Sequence, residues 1–470
     1  MYFQQFYLTC LSHASYMIGS DGVAAVVDPQ RDVALYIEEA ALQGFAIEHI
    51  IETHLHADFV SGHRELADLT GAKIYLGAKA GATFPHVPVV DGDEIHFGTC
   101  VLRFLETPGH TIESVTVLVT DIEKSPEPFA ALTGDALFIG DVGRPDLSGD
   151  LTPQQLAGML YDSLHTKLMT LPDGVEVYPA HGAGSLCGRQ MRPERVSTIG
   201  KERATNYALR AASKDDFIQL LTSELPERPA YFAKDAEINR TGAGALTELA
   251  PLAELTPAEL MEKQTSGATV LDTRPPQQFG AGHVPGAVHI ALAGQFASWA
   301  GTVLGLDREI VLVAEDPEQA SESRMRLARV GVENVTGWLA GGMDAWLRED
   351  RPTQSVPQIS ADDLSKSLDD FQIVDVRRQP EYDGGHIAGA HLMPLHKITT
   401  MLDGLDKSKP IAVHCKGGYR SSIGTSLLQK AGFTDVWNVM GGYDAWATLG
   451  LPIESSGPPL ACGVAAPLSA

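Results

Sequence analysis

The sequence repeats itself at the scale of a whole domain. Asp272-Thr-Arg274 running to Phe279, then Gly282-His283-Val-Pro-Gly286-Ala287, recurs as Asp375-Val-Arg377 running to Tyr382, then Gly385-His386-Ile-Ala-Gly389-Ala390. Further on, Gly341-Gly-Met-Asp-Ala-Trp346 recurs as Gly441-Gly-Tyr-Asp-Ala-Trp446. The offset is 103 residues at the first motif and 100 at the last. Solenoid repeats run only about 20–50 residues, so this spacing means duplication of one domain. The chain must therefore hold two like domains, residues 255–351 and 357–455, behind residues 1–240 of different character. Arg240-Thr-Gly-Ala-Gly-Ala245 and Arg351-Pro-Thr-Gln-Ser-Val-Pro357 are the separators.

The copies differ where chemistry would sit. In the second, the apolar run Ile411-Ala-Val-His414 leads into Cys415-Lys416-Gly417-Gly418-Tyr419-Arg420-Ser421, and Ser422 to Ala431 is compatible with a helix. A strand, a glycine-containing loop and a helix N-terminus aim successive backbone N–H groups at one point and favour negative charge there. A cysteine at that focus is held as a thiolate and is nucleophilic. The alternative is a buried, inert cysteine, but two glycines and an arginine within five residues favour the reactive one. Cys415 and Arg420 are thus the candidate catalytic pair, and Lys416, Gly417, Gly418 and Tyr419 the loop that binds the anionic substrate. In the first copy Ile310-Val-Leu-Val-Ala314 puts an alanine at the thiol position, followed by Glu315-Asp-Pro-Glu318. An acidic loop without a thiol offers neither the nucleophile nor the anion site, so that copy reads as a structural or docking module. Each copy resembles the rhodanese (sulfurtransferase) family through the motifs quoted above.

Residues 1–240 carry a metal pattern. Gly22-Val-Ala-Ala-Val-Val-Asp28 predicts a buried strand, Val33 to Gln43 an amphipathic helix ending at Gly44, and Glu48 to Thr53 a second strand, an α/β order. Directly after it stands Thr53-His54-Leu-His56-Ala-Asp58. Thr107-Pro-Gly-His110, Thr133-Gly-Asp135 and Pro179-Ala-His181-Gly follow, each at the end of an apolar run. Loops at strand ends are where α/β folds place ligands. The set, in this order, resembles the metallo-β-lactamase superfamily. The expected fold class is therefore α/β, an αββα metallo-β-lactamase sandwich followed by two rhodanese-like α/β domains.

The superfamily's dinuclear zinc hydrolases, such as glyoxalase II, use His-x-His-x-Asp-His, whereas Phe59 follows Asp58 here and cannot coordinate. A single metal is expected. Resemblance to the persulfide dioxygenase branch implies Fe(II), one per chain, held by His54, His110 and Asp135, with zinc as the alternative. Two histidines and a carboxylate leave positions open for O₂ and substrate. The same resemblance makes His56, Asp58 and His181 residues that orient ligands or substrate; direct coordination by His56 is the alternative. Gly143-Arg144 resembles a loop of that branch, where the guanidinium would orient an anionic persulfide or sulfite; the bland reading is a helix-starting turn. His181-Gly-Ala-Gly-Ser185-Leu-Cys187 resembles a loop of persulfide dioxygenases fused to rhodaneses, leaving Cys187 either a sulfur relay or a structural cysteine. His13, His49, His63, His86, His96 and His165 have no such company and read as surface or core residues.

The implied function is oxidation of a low-molecular-weight thiol persulfide with O₂ to sulfite, coupled to sulfur transfer that forms or uses thiosulfate. The rival is a zinc-dependent thioester hydrolase fused to a sulfurtransferase. A formal charge of −25 argues against nucleic acid as a partner. No apolar run approaches the roughly 20 residues of a membrane span, and Met1-Tyr-Phe-Gln-Gln does not open a signal peptide. Five scattered cysteines (Cys10, Cys100, Cys187, Cys415, Cys462) make no disulfide framework and fit a reduced cytoplasm. A homo-oligomer is compatible with all of this. The tail after Pro452 has too few apolar anchors for a core, and Cys462 within it reads as incidental.

Overall fold

The computed structural model describes residues 1–149, 151–223 and 225–455; the expectations for Cys462 and the end of the tail lie outside them. The chain forms two compact units, the first of Met1–Leu249 with Leu304–Leu306 and Met325–Glu333, the second of the remainder.

The first unit is built on two six-stranded sheets. One runs, in spatial order, Tyr2–Leu8, His13–Ser20, Val23–Val27, Ala46–Ile51, Lys73–Gly77 and Val87–Val89. The other runs Ser197–Thr198, Glu176–Pro179, Ala130–Gly134, Val115–Asp121, Cys100–Glu106 and Glu94–Phe97. Side chains alternate across a strand, and the alternation sorts the core into layers. Tyr16, Ile18, Ala25 and Val27 of the first sheet pack against Leu102, Phe104, Val117 and Leu132 of the second. Their neighbours Met17, Ala24 and Val26 turn to the opposite face and meet Tyr36 and Ala40 of the helix Ala34–Gln43. On the second sheet, Leu118, Ala131 and Val177 turn outward onto Ala157, Leu160 and Leu164 of the helix Pro153–Thr166. Helix, sheet, sheet, helix is thus the layer order. The helix predicted from Val33 starts at Ala34 and closes at Gly44, whose φ of 73° is the left-handed cap that glycine supplies.

The second unit contains two parallel five-stranded sheets. The first is ordered Ala253–Leu255, Val335–Leu339, Ile310–Val313, Thr269–Asp272, Val288–His289. The second is ordered Gln358–Ile359, Val436–Val439, Ile411–His414, Gln372–Asp375, His391–Leu392. The repeated motifs do the same structural work in both. Arg274 and Arg377 fork onto Asp272 and Asp375 and donate onward to the carbonyls of Gly282 and Gly385. His283 stacks on Phe279 at 3.7 Å and His386 on Tyr382 at 3.6 Å. Trp346 and Trp446 are buried and donate to the carbonyls of Pro352 and Pro452, each at 2.9 Å. The repeated signatures are thus scaffold, and chemistry must lie where the copies differ. Among the described residues no helix is long and apolar enough to cross a membrane.

Candidate metal centre and thiol site

His54, His110 and Asp135 each present a ligand atom, all within 4.8 Å of one another and all buried. Each side chain is aimed by a fixed partner. Thr53 donates its hydroxyl to Asp28 Oδ2 at 2.8 Å, so its oxygen can only accept from His54 Nδ1 at 3.0 Å. That leaves the lone pair of His54 on Nε2. The Arg144 carbonyl accepts from His110 Nδ1 at 2.9 Å and likewise frees His110 Nε2. Asp135 Oδ1 accepts from His181 Nδ1 at 2.8 Å, and Oδ2 lies 3.3 Å from His110 Nε2 and 3.7 Å from His54 Nε2. His54 Nε2, His110 Nε2 and Asp135 Oδ2 have no hydrogen-bond partner among the described residues.

Three orphaned, buried, convergent atoms fit a cation, because burying them unpaired would otherwise cost several kcal/mol, roughly 1–3 for each group. Their protonation agrees. Burial pushes His54 well down and His110 down, so both imidazoles are neutral. Burial raises Asp135, but the charged His181, hydrogen-bonded to its Oδ1, outweighs it and holds the carboxyl well below its usual range. Neutral imidazoles and an ionised carboxylate are the state a metal requires. The backbone is shaped for the approach: Gly134 has φ 51°, and a Cβ there would stand 2.6 Å from Thr53 Oγ1.

Around this trio, His181 bridges Asp135 and Asp58, with Nε2 2.9 Å from Asp58 Oδ2. His56 Nε2 turns toward Asp28 Oδ1 at 3.2 Å and Glu52 Oε2 at 3.5 Å, and His56, Asp58 and His181 also offer atoms within 4.8 Å of one another. Phe59 is fully buried, its ring 4.4 Å from that of His56 and 4.2 Å from that of His13. His13 belongs to this surrounding: it is buried, its ring 5.5 Å from that of His181, with both nitrogens lacking a partner among the described residues. Nothing in the run Leu11-Ser-His13-Ala distinguishes it in sequence, because its neighbours come from loops far along the chain.

Arg144 is buried and already engaged. It forks onto Asp146 at 2.7 and 3.0 Å and donates to the carbonyls of Leu186 and Pro226. Four of its five N–H groups are spent within the protein, so this guanidinium clasps loops together and has little left for an anion. Cys187 is buried within 4.8 Å of Asp135 and His181. Burial, then the charges of Asp58 and Asp135, push its thiol well up. A shallow pocket beside this loop is lined by Val142, Pro145, Leu186, Arg189, Tyr207 and Pro226.

Cys415 follows the strand Ile411–His414 and precedes the helix Tyr419–Lys430, which starts earlier than the sequence suggests because Gly418, at φ 103°, turns the chain into it. The Gly418 N–H donates to Cys415 Sγ at 3.1 Å and the Ser421 hydroxyl at 3.6 Å. Lys416 and Gly417 are exposed at the loop's tip. Arg420 forks onto Glu381 with two bonds of 2.7 Å, a partner 39 residues away that motif reading does not supply. In the first copy the matching loop satisfies itself. Gln319 Oε1 accepts from Glu315 N at 2.7 Å, and Asp316 Oδ1 accepts from Gln319 N at 2.8 Å. Ala314 is buried behind them.

The metallo-beta-lactamase superfamily matches residues 8–181, and the rhodanese-like domain matches residues 256–349 and 360–449. The chain is 34% identical over 205 residues to the persulfide dioxygenase ETHE1 of Bos taurus mitochondria, covering 42% of this chain and 70% of that protein. It is 29% identical over 220 residues to a hydroxyacylglutathione hydrolase of Rhodospirillum rubrum, covering 46% and 77%. A solved metallo-beta-lactamase from Staphylococcus aureus superposes with TM-score 0.65 at 33% identity, over 72% of this chain and 98% of that one. The chain belongs to the metallo-β-lactamase superfamily, as a fusion of one such domain, similar to persulfide dioxygenases, with two rhodanese-like domains.

Proposed function

We propose that the protein is a persulfide dioxygenase joined to a sulfurtransferase. The observation that carries the reading is the His54–His110–Asp135 trio, with Phe59 packed on His56 where a further ligand would be needed for a dinuclear hydrolase. Bound there, one ferrous ion would supply the redox chemistry and the open positions for O₂ and substrate sulfur. The protein's part is to hold the site. Thr53 and the Arg144 carbonyl fix the two imidazoles, His181 fixes Asp135, and Phe59 packs against His56. The overall reaction, RSSH + O₂ + H₂O → RSH + SO₃²⁻ + 2H⁺, balances without a further reductant.

Cys415 would then carry sulfane sulfur. Its thiolate attacks the outer sulfur of thiosulfate, the S–S bond breaks, and sulfite leaves with the electron pair, giving an enzyme persulfide. In reverse, sulfite takes the sulfur and thiosulfate forms. The Gly418 N–H, which already donates to Cys415 Sγ, and the side chain of Lys416 would support the charge of the departing sulfite. Cys187, with its thiol pushed up by burial, serves packing beside Asp135 better than sulfur relay.

A second reading is a zinc-dependent thioester hydrolase. It is favoured by the grouping of His56, Asp58 and His181 and by the likeness to a hydroxyacylglutathione hydrolase. Product analysis separates the two. With a thiol persulfide and O₂, sulfite should appear in step with O₂ consumed; hydrolysis of an acyl-thiol without O₂ uptake would establish the second reading instead.

A further inference from the structure

The copy without a thiol touches the copy that has one, and it does so at the helix that opens from the Cys415 loop. Three positions on one face of that helix are pinned. The Tyr419 hydroxyl donates to the Ala291 carbonyl at 2.8 Å. Ser422 Oγ lies 2.7 Å from His289 Nδ1. The His289 backbone N–H donates to Ser426 Oγ at 3.0 Å. Residues 419, 422 and 426 are spaced i, i+3, i+7, the spacing of a single helical face.

The tautomer of His289 follows from its partners. Its Nε2 faces the Arg274 carbonyl at 2.9 Å, which can only accept, so Nε2 carries the hydrogen. Nδ1 is therefore an acceptor, and the Ser422 hydroxyl donates to it. The imidazole is fully buried and stacked on Phe279 at 4.4 Å, so it is a fixed bracket between the first copy's backbone and the second copy's helix. Duplication supplies a control within the chain. The position matching His289 in the second copy is Leu392, which offers no polar atom in its side chain.

We infer that His289 and the Ala291 carbonyl are positioning groups for the anion cradle of Cys415. The helix they hold begins at Tyr419, the residue after Gly418, whose N–H points at the sulfur. A helix free to slide or rotate by a few tenths of an ångström would carry that N–H off the sulfur and off any anion beside it. The first copy has lost its own thiol site and retains a role as the template for the second. The inference rests on the reading of Cys415 as a nucleophile set in an anion cradle.

The test compares alkylation of Cys415 by iodoacetate, an anion, and by iodoacetamide, its neutral analogue, read on the Cys415 peptide of the full chain. The ratio of the two rates reports anion recognition; a loss of packing alone slows or speeds both alike. In the unaltered chain the ratio should exceed that of free cysteine. His289→Phe keeps the aromatic stack and removes both side-chain bonds. It should lower the ratio about fivefold, the effect of losing one or two ordinary hydrogen bonds. Ser422→Ala should lower it comparably, and the double variant should fall no further than the lower single one. If His289→Phe does not fold, Ser422→Ala decides alone. A folded variant of either kind with the unaltered ratio would overturn the positioning role. A free-cysteine ratio in the unaltered chain would instead overturn the cradle itself and this inference with it.

Discussion

The imidazole of His181 is clamped between two carboxylates, with Nδ1 2.8 Å from Asp135 Oδ1 and Nε2 2.9 Å from Asp58 Oδ2. Burial disfavours a charge on it, but Asp135 and Asp58 outweigh burial and raise it well above its ordinary range. His181 thereby fixes the orientation of Asp135, the carboxylate of the proposed ligand trio. Asp58→Asn should loosen His181 and with it Asp135, weakening metal retention by about 10–100-fold, the usual effect of disturbing a ligand's outer hydrogen bond. Competition with a chelator measures this; unchanged retention would mean that Asp58 has no part in holding the site.

Oxidation and sulfur transfer should be separable. Cys415→Ser should abolish thiosulfate-dependent sulfur transfer, because an alcohol neither ionises near neutral pH nor carries sulfane sulfur. The variant should keep O₂ uptake and release sulfite in place of thiosulfate. Loss of O₂ uptake with metal retained would show that Cys415 takes part in the oxidation.

Returning a cysteine to the first copy should not create a second transfer site. Ala314→Cys would stand behind a loop whose Glu315 N–H is taken by Gln319 and whose tip is acidic. Sulfurtransferase activity of Ala314→Cys in a Cys415→Ser background should stay at the level of Cys415→Ser alone. Substantial turnover would show that the first loop kept its anion site and lost only its nucleophile.

Acid should weaken the second unit before its carboxylates titrate. Burial holds both His289 and His414 down to about 4 from an ordinary 6.5, against the weaker upward pull of Asp272 and Asp375. Between those values the unfolded chain binds protons that the folded one does not. Stability is therefore full above pH 6.5 and falls as pH drops toward 4, by on the order of 3 kcal/mol for each histidine. The urea midpoint should be lower at pH 5 than at pH 7; an equal or higher midpoint at pH 5 would contradict this.

Local chemistry was readable from the sequence, and long-range pairing was not. The duplication, the layer-forming strands such as Val23–Val27 and the polar residues at strand ends are written in short runs, where a few positions fix the pattern. Arg144 illustrates the limit. Its place after Gly143 suggests an anion-binding guanidinium, yet its partners Asp146, Leu186 and Pro226 include carbonyls from loops far along the chain. Glu381 beside Arg420, His13 beside Phe59 and His289 beside Ser422 are equally invisible. Each pair joins segments that only the folded sheets bring together.

The central claim is a single iron that oxidises persulfide, and one paired measurement tests it most directly. The full chain, purified without oxygen, is analysed for metals and then given a thiol persulfide in an oxygen electrode, beside His110→Ala. One iron per chain, with O₂ uptake that disappears together with the metal in His110→Ala, is the predicted result. Two zinc ions per chain and no O₂ uptake in the unaltered protein would contradict it.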